Sequence, residues 1–174
     1  MSSAHLTRSG EREEIAETLA KHRQFLRYTV RGLTDGQAAA RSTVSELTLG
    51  GLIKHVTAVE RHWADFIVNG PAATPSWEDP EALRAHAEGF RMLPDETLAG
   101  LLAGYDVAAA KTDDLLATLP DLDAAQPLPA APWNQPGARW SARRVLLHLI
   151  AETSQHAGHA DIIRESIDGQ KTMG

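Results

Sequence analysis

Residues 148–165 read HLIAETSQHAGHADIIRE. Apolar residues recur in this stretch at helical spacing, and so do its three histidines and one of its acids. On a wheel of about 100° per residue with Glu152 at zero, His156 falls at about +40°, His159 at about −20° and His148 at about −40°. Val145, Leu149 and Ile163 fall between about +20° and +60° on the same wheel. Arg143, Ser154, Asp161 and Glu165 occupy the other side. The face expected to enter the core therefore carries four titratable groups, and burying them is costly unless something pairs with them. Leu146, Leu147 and Ile150 lie well away from that face. They are expected to cover a loop or a second subunit, which makes a homodimer the expected assembly.

Two arrangements would satisfy the polar stripe. One is a hydrogen-bonded network among Glu152, His148 and His156; the other is a metal ion. Glu152 and His156, four residues apart, stack on one helix face and can share an ion, and His156 and His159 at a spacing of three can do the same. Three histidines and a glutamate exceed what mutual hydrogen bonding readily satisfies, so the metal is the preferred reading. In helical bundles such sites are completed from a neighbouring helix. His55, at the margin of the apolar stripe formed by Leu52, Val59, Trp63 and Phe66, is the candidate. His62 is weaker, and His5, His22 and His86 have no comparable context.

Around this segment the chain carries three more long helical patterns and no sustained two-residue alternation. The first covers residues 11–33 through Ile15, Leu19, Leu26, Val30 and Leu33. The second runs from the cap candidate Thr48 to Val68 and is stopped by Asn69-Gly70-Pro71. The third opens at Pro94-Asp95-Glu96 and continues to Leu119. The last starts at the cap Ser141 and ends at Asp168-Gly169. Residues 71–94, with Pro75 and Pro80, form one long connection that includes a short helix over about 81–89. Residues 119–140, with Pro120, Pro127, Pro129, Pro132 and Pro136, form another. Connections of that length usually act or cover something. The expected fold is all-α: a single domain over 1–174, a four-helix bundle with long connections between helices two and three and between three and four.

The 174 residues carry 23 acids against 17 bases and a net charge of −6. The bases are scattered, with Arg143-Arg144 the one adjacent pair, which argues against a nucleic-acid partner. No apolar run reaches the about 18 residues of a membrane span. Met1 to Gly10 lacks the pattern of a secretory signal, so a cytoplasmic location is expected. There is no Cys, so any metal must be held by His, Asp or Glu.

TLGGLIKHVTAVERHW (48–63), WSARRVLLHLIAETSQHAGHADIIRESIDG (140–169) and FLRYTVRGLTDGQAAAR (25–41) resemble the DinB-like superfamily. The nearest branch is an actinobacterial one of unknown function, related to mycothiol-dependent maleylpyruvate isomerase and to bacillithiol and mycothiol S-transferases. The resemblance implies an up-up-down-down four-helix bundle with a divalent metal at one end. Many members hold the metal with one His of the second helix and an H-x-x-x-H pair of the last. Here Glu152 stands at the first position of that pair, as in the isomerase branch, whose His, Glu and His ligands correspond to His55, Glu152 and His156. His159 then either replaces Glu152 as a ligand, supports a ligand from behind, or faces the substrate as a catalytic base. The chemistry implied is transfer or isomerisation with a mycothiol-type thiol, in which a bound zinc, or else nickel, iron or manganese, lowers the thiol pKa for attack on a small electrophile. The alternative is a non-catalytic metal-binding dimeric bundle with a stress-response or binding role. Trp133, Asn134, Arg139 and Trp140 are candidates for a substrate pocket, though anchoring of the loop is the commoner role for such residues.

Overall fold

The computed structural model describes residues 8–72, 80–131 and 133–172; His5, Pro75 and Pro132 lie outside them. Four long helices make the bundle: α1 (Arg8–Thr29), α3 (Leu49–Asn69), α5 (Leu98–Thr118) and α6 (Ala142–Asp168). Short helices α2 (Asp35–Ala39) and α4 (Pro80–Glu88) lie in the connections. So does an antiparallel ribbon of β1 (Ala125–Pro127) and β2 (Arg139–Ser141), registered with Gln126 opposite Trp140. Three-residue strands are too short to show an alternating pattern, which is why the ribbon was not expected.

The caps anticipated at Thr48 and Ser141 form, their hydroxyls accepting from the Gly51 and Arg144 amides at 3.1 Å each. Gly169, with φ +78°, closes α6 in the left-handed region that favours glycine. The third long helix starts later than Pro94. Glu96 folds back to accept from the Leu93 amide at 2.7 Å, and Asp35 Oδ1 accepts from the Leu98 amide at 2.7 Å. Thr97 therefore becomes the cap.

Cross-helix pairings set the helix directions. Arg143 pairs with Glu11 at one end, and Arg164 Nη1 donates to the Thr29 and Arg31 carbonyls at 2.9 Å each at the other. Hence α1 and α6 run parallel, and Arg164 satisfies carbonyls that the end of α1 leaves open. Arg23 pairs with Asp113 and Arg27 with Asp106, so α5 opposes α1; Lys54 pairs with Glu96 and Arg61 donates to the Gly104 carbonyl, so α3 runs with α5. The order is up-down-down-up, which corrects the up-up-down-down order. Its cause is that the residues leading into α5 lie against the start of α3, with Phe90 and Met92 over Gly51 and Gly50 and Glu96 paired with Lys54, so α5 begins beside that end and runs parallel to α3.

Two apolar clusters fill the interior. One gathers Leu26, Val30, Leu49, Leu52, Ile53, Val56, Ala160 and Ile163. The other gathers Ile15, Leu19, Phe66, Leu116, Val145, Leu146 and Leu149. Between them lies a polar waist, where the guanidinium of Arg23 spans Glu60 and Asp113 and is itself 2% exposed. Leu146 is fully buried and Ile150 packs against the second cluster, because α6 contacts α1 on one side and α3 on the other. The off-core face expected of Leu146, Leu147 and Ile150 thus shrinks to Leu147, 49% exposed. No helix among the described residues is long and apolar enough to cross a membrane.

Candidate metal centre

His55 projects from the first half of α3, and Glu152 and His156 from the middle of the antiparallel α6. A helix pair of this kind brings a single residue on one strand of the seam against an i,i+4 pair on the other. One ligand atom from each of the three lies within 4.8 Å of the other two. Glu152 Oε2 is the hub, 3.5 Å from His156 Nε2 and 3.9 Å from His55 Nε2. The two imidazoles meet edge to face with centroids 4.7 Å apart. A tetrahedral ion bonded at about 2.0–2.2 Å separates its ligand atoms by about 3.3–3.6 Å, so the spacing suits a single small cation. The cluster lies along the α3–α6 seam rather than at an end of the bundle.

The expected inward face needs one correction. Val145 and Leu149 are core, but the His55, His156 and Glu152 side chains retain 17%, 12% and 27% exposure. They border the core and open to solvent, which is what a small molecule reaching an ion requires. Burial pushes the His55 pKa down to about 4, helped by the neighbouring His156 and His86. Burial also holds His148 and His156 below the usual histidine value, against the opposite pull of Glu152. At neutral pH these rings are uncharged, the form that ligates metals.

His159 stands beside the group of three. Its Nδ1 lies 3.4 Å from His156 Nδ1, on the side of that ring turned from Glu152. His148 lies one turn before Glu152, its Nε2 3.8 Å from Glu152 Oε1. His62 is exposed and edges on Trp63, His22 edges on Phe25, and neither approaches the cluster.

Phe90, in the connection after α4, carries no helical or metal-binding pattern and went unrecognised in the sequence. Its ring stacks on His55 with centroids 4.0 Å apart and planes 21° apart, and His86 meets its edge at 5.4 Å. Two glycines let this strap descend. A Cβ on Gly51 would stand 1.9 Å from the Phe90 carbonyl oxygen, and one on Gly50 would stand 2.8 Å from Met92 Sδ. The LGGL opening of α3, two glycines in a helix that gains nothing from them locally, was the available signal that another backbone approaches there.

Of the loop candidates, Trp140 reaches the site, stacking on Trp63 at 4.8 Å and meeting the His148 ring at 5.2 Å. Asn134 Nδ2 donates to the Pro129 carbonyl at 2.9 Å, and Arg139 donates to the Ala125 carbonyl; both anchor the loop. Trp133 is 65% exposed.

An up-down-down-up bundle with histidines and a glutamate gathered between its second and last long helices is a DinB-like bundle. A family model described as mycothiol S-transferase matches residues 14–169, and the chain belongs to that family. Among solved structures, a conserved protein of Enterococcus faecalis shares the fold, with a TM-score of 0.63 over 91% of this chain and 97% of that one at 16% identity. No curated protein sequence matches.

Proposed function

We propose that this protein is a divalent-metal-dependent S-transferase that joins a mycothiol-type thiol to a small electrophile. The observation that carries this reading is the convergence of His55, Glu152 and His156 within 4.8 Å at a solvent-reached seam. Family membership supplies the thiol class, and the absence of Cys requires that the sulfur be brought by the cosubstrate. Zinc is the first candidate, and nickel, iron and manganese accept the same donors. When bound, the ion acts as a Lewis acid that lowers the pKa of a thiol placed on it.

The protein's own part is to hold three donors and leave the seam open for the reactants. Phe90 shields His55 from water and keeps it neutral. His156 presents Nε2 toward Glu152, which leaves its Nδ1 to His159. A histidine ligating through Nε2 carries its proton on Nδ1 and donates it to an outer partner that fixes the ring. We assign that role to His159. While it accepts from His156 its own proton sits on Nε2, so serving as the base for the thiol would require it to release His156 first. The thiol proton then leaves to solvent, the S–C bond forms, and the electrophile's leaving group or π-electron pair takes up the displaced charge.

Metal analysis of purified protein beside His156→Ala, together with conjugation of mycothiol to monochlorobimane, tests the proposal. Wild type is expected to retain a stoichiometric ion and form conjugate, and the variant neither. Conjugation that persists through chelation and in His156→Ala would overturn it.

A further inference from the structure

Glu152 has two oxygens, and only Oε2 faces the other two ligands. Oε1 faces His148 Nε2 at 3.8 Å. His148 is held in turn by a pair of indoles. Its ring meets Trp63 edge-on at 5.0 Å and Trp140 at 5.2 Å, and those two indoles stack on each other with planes 17° apart. The Arg144 guanidinium lies over the Trp140 ring, 5.2 Å from its centroid, a cation–π contact. Trp140 itself is fixed by its place opposite Gln126 in the β-ribbon, and the ladder continues where the Ala142 and Arg143 amides donate to the Ala124 and Leu122 carbonyls at 2.9 Å. The long Pro-rich connection therefore ends by pressing an aromatic brace onto one histidine.

We propose that His148 is a positioning residue that engages Glu152 Oε1 and leaves only Oε2 for the metal, so that the glutamate binds through one oxygen and a coordination position stays open for the thiol. This inference rests on the metal reading above. A carboxylate otherwise binds through one oxygen or two, and taking both would fill a position that a reacting site must keep open. A partner behind a ligating carboxylate also sets its angle, and loss of such a partner typically weakens metal binding 10–100-fold. The imidazole offers an N–H that can reach Oε1 once the 3.8 Å separation closes to hydrogen-bond distance. A wholly structural His148 would leave the character of the metal site untouched.

Cobalt(II) titration followed by visible absorption separates these cases, because the intensity of cobalt's visible bands falls as coordination number rises. His148→Ala is expected to bind cobalt about 10–100-fold more weakly and with a dimmer spectrum, as Glu152 closes onto the ion with both oxygens. His148→Gln, which keeps an N–H toward Oε1, should recover most of both. Trp140→Leu, which removes the brace and leaves His148 in place, should shift both in the same direction by less, and it decides the matter should His148→Ala fail to fold. Wild-type affinity and spectrum in His148→Ala, with Glu152→Ala unable to bind, overturn the positioning role and leave the metal site standing. Failure of wild type to bind cobalt, or undiminished binding by Glu152→Ala, overturns the ligand set and this role with it.

Discussion

Replacing Gly51 with alanine would force the strap off His55. The new Cβ would lie 1.9 Å from the Phe90 carbonyl oxygen, 2.5 Å from its carbonyl carbon and 2.8 Å from the capping Thr48 Oγ1. Two of these neighbours are backbone, so no side-chain rotation relieves the clash, and the strap must retreat by roughly 1 Å or more to restore ordinary contact. Overpacking of this kind costs about 1–3 kcal/mol. The retreat has a second effect, because it admits water to His55, whose pKa burial holds at about 4 against an ordinary 6.5. In metal-free protein a depressed histidine keeps its full contribution above pH 6.5. As pH falls below that value the unfolded chain takes the proton first, and stability declines until the folded pKa is reached. For His55 the decline amounts to at most about 3 kcal/mol between roughly pH 6.5 and 4. Urea unfolding of chelated protein, followed by circular dichroism from pH 8 to pH 4, measures both quantities. Gly51→Ala should start lower at pH 8 and lose less on acidification, since its His55 titrates closer to the unfolded value. Gly158→Ala, where a Cβ meets nothing within 4 Å, is the control; it should be neutral or stabilising by up to about 1 kcal/mol. A Gly51→Ala protein with the wild-type plateau and the wild-type acid slope would refute both the packing argument and the origin of the His55 shift.

Two other perturbations follow from the described contacts. Glu60→Ala would leave the Arg23 guanidinium, 2% exposed, with Asp113 alone, and should cost about 3–5 kcal/mol in urea unfolding at neutral pH; a loss under about 1 kcal/mol would show that the waist admits water. His159→Gln should weaken metal binding about 10–100-fold by freeing the His156 ring, as read by competition with a chromophoric chelator, whereas unchanged affinity with lost turnover would restore the base role to His159.

The four long helices were legible because helical period and caps are local: Thr48 and Ser141 cap where their sequence context places them. The α6 stripe and the choice of His55 were legible for the same reason, since a wheel shows which side chains share a face. What needed a partner helix was not. Leu146 looked peripheral because a wheel centred on Glu152 cannot show that α1 as well as α3 covers the helix. Arg23, Glu60 and Asp113 sit on three helices and form a pair of contacts only when those helices assemble, and the helix directions depend on the same assembly. Phe90 and Trp140 arrive from irregular segments whose paths are set by contacts far along the chain. Gly50 and Gly51 were the visible trace of one of those paths, and the prolines before Trp140 the trace of the other.

The parallel course of α3 and α5 decides what covers His55, Glu152 and His156. A bundle whose third long helix turned straight back from the second would need only a tight turn there, and its seam between α3 and α6 would lie bare. Because α5 begins beside the start of α3, the residues that lead into it lie across the two glycines, Phe90 over Gly51 and Met92 over Gly50. Shortening that route would leave the three donors in place while stripping one of them of its shelter from protons. The placing of His55, Glu152 and His156 is therefore a property of the cross-section, and the low pH needed to protonate His55 is a property of the itinerary. A variant rewired for a simpler topology should keep the cluster, with a His55 that takes up its proton nearer the ordinary histidine value.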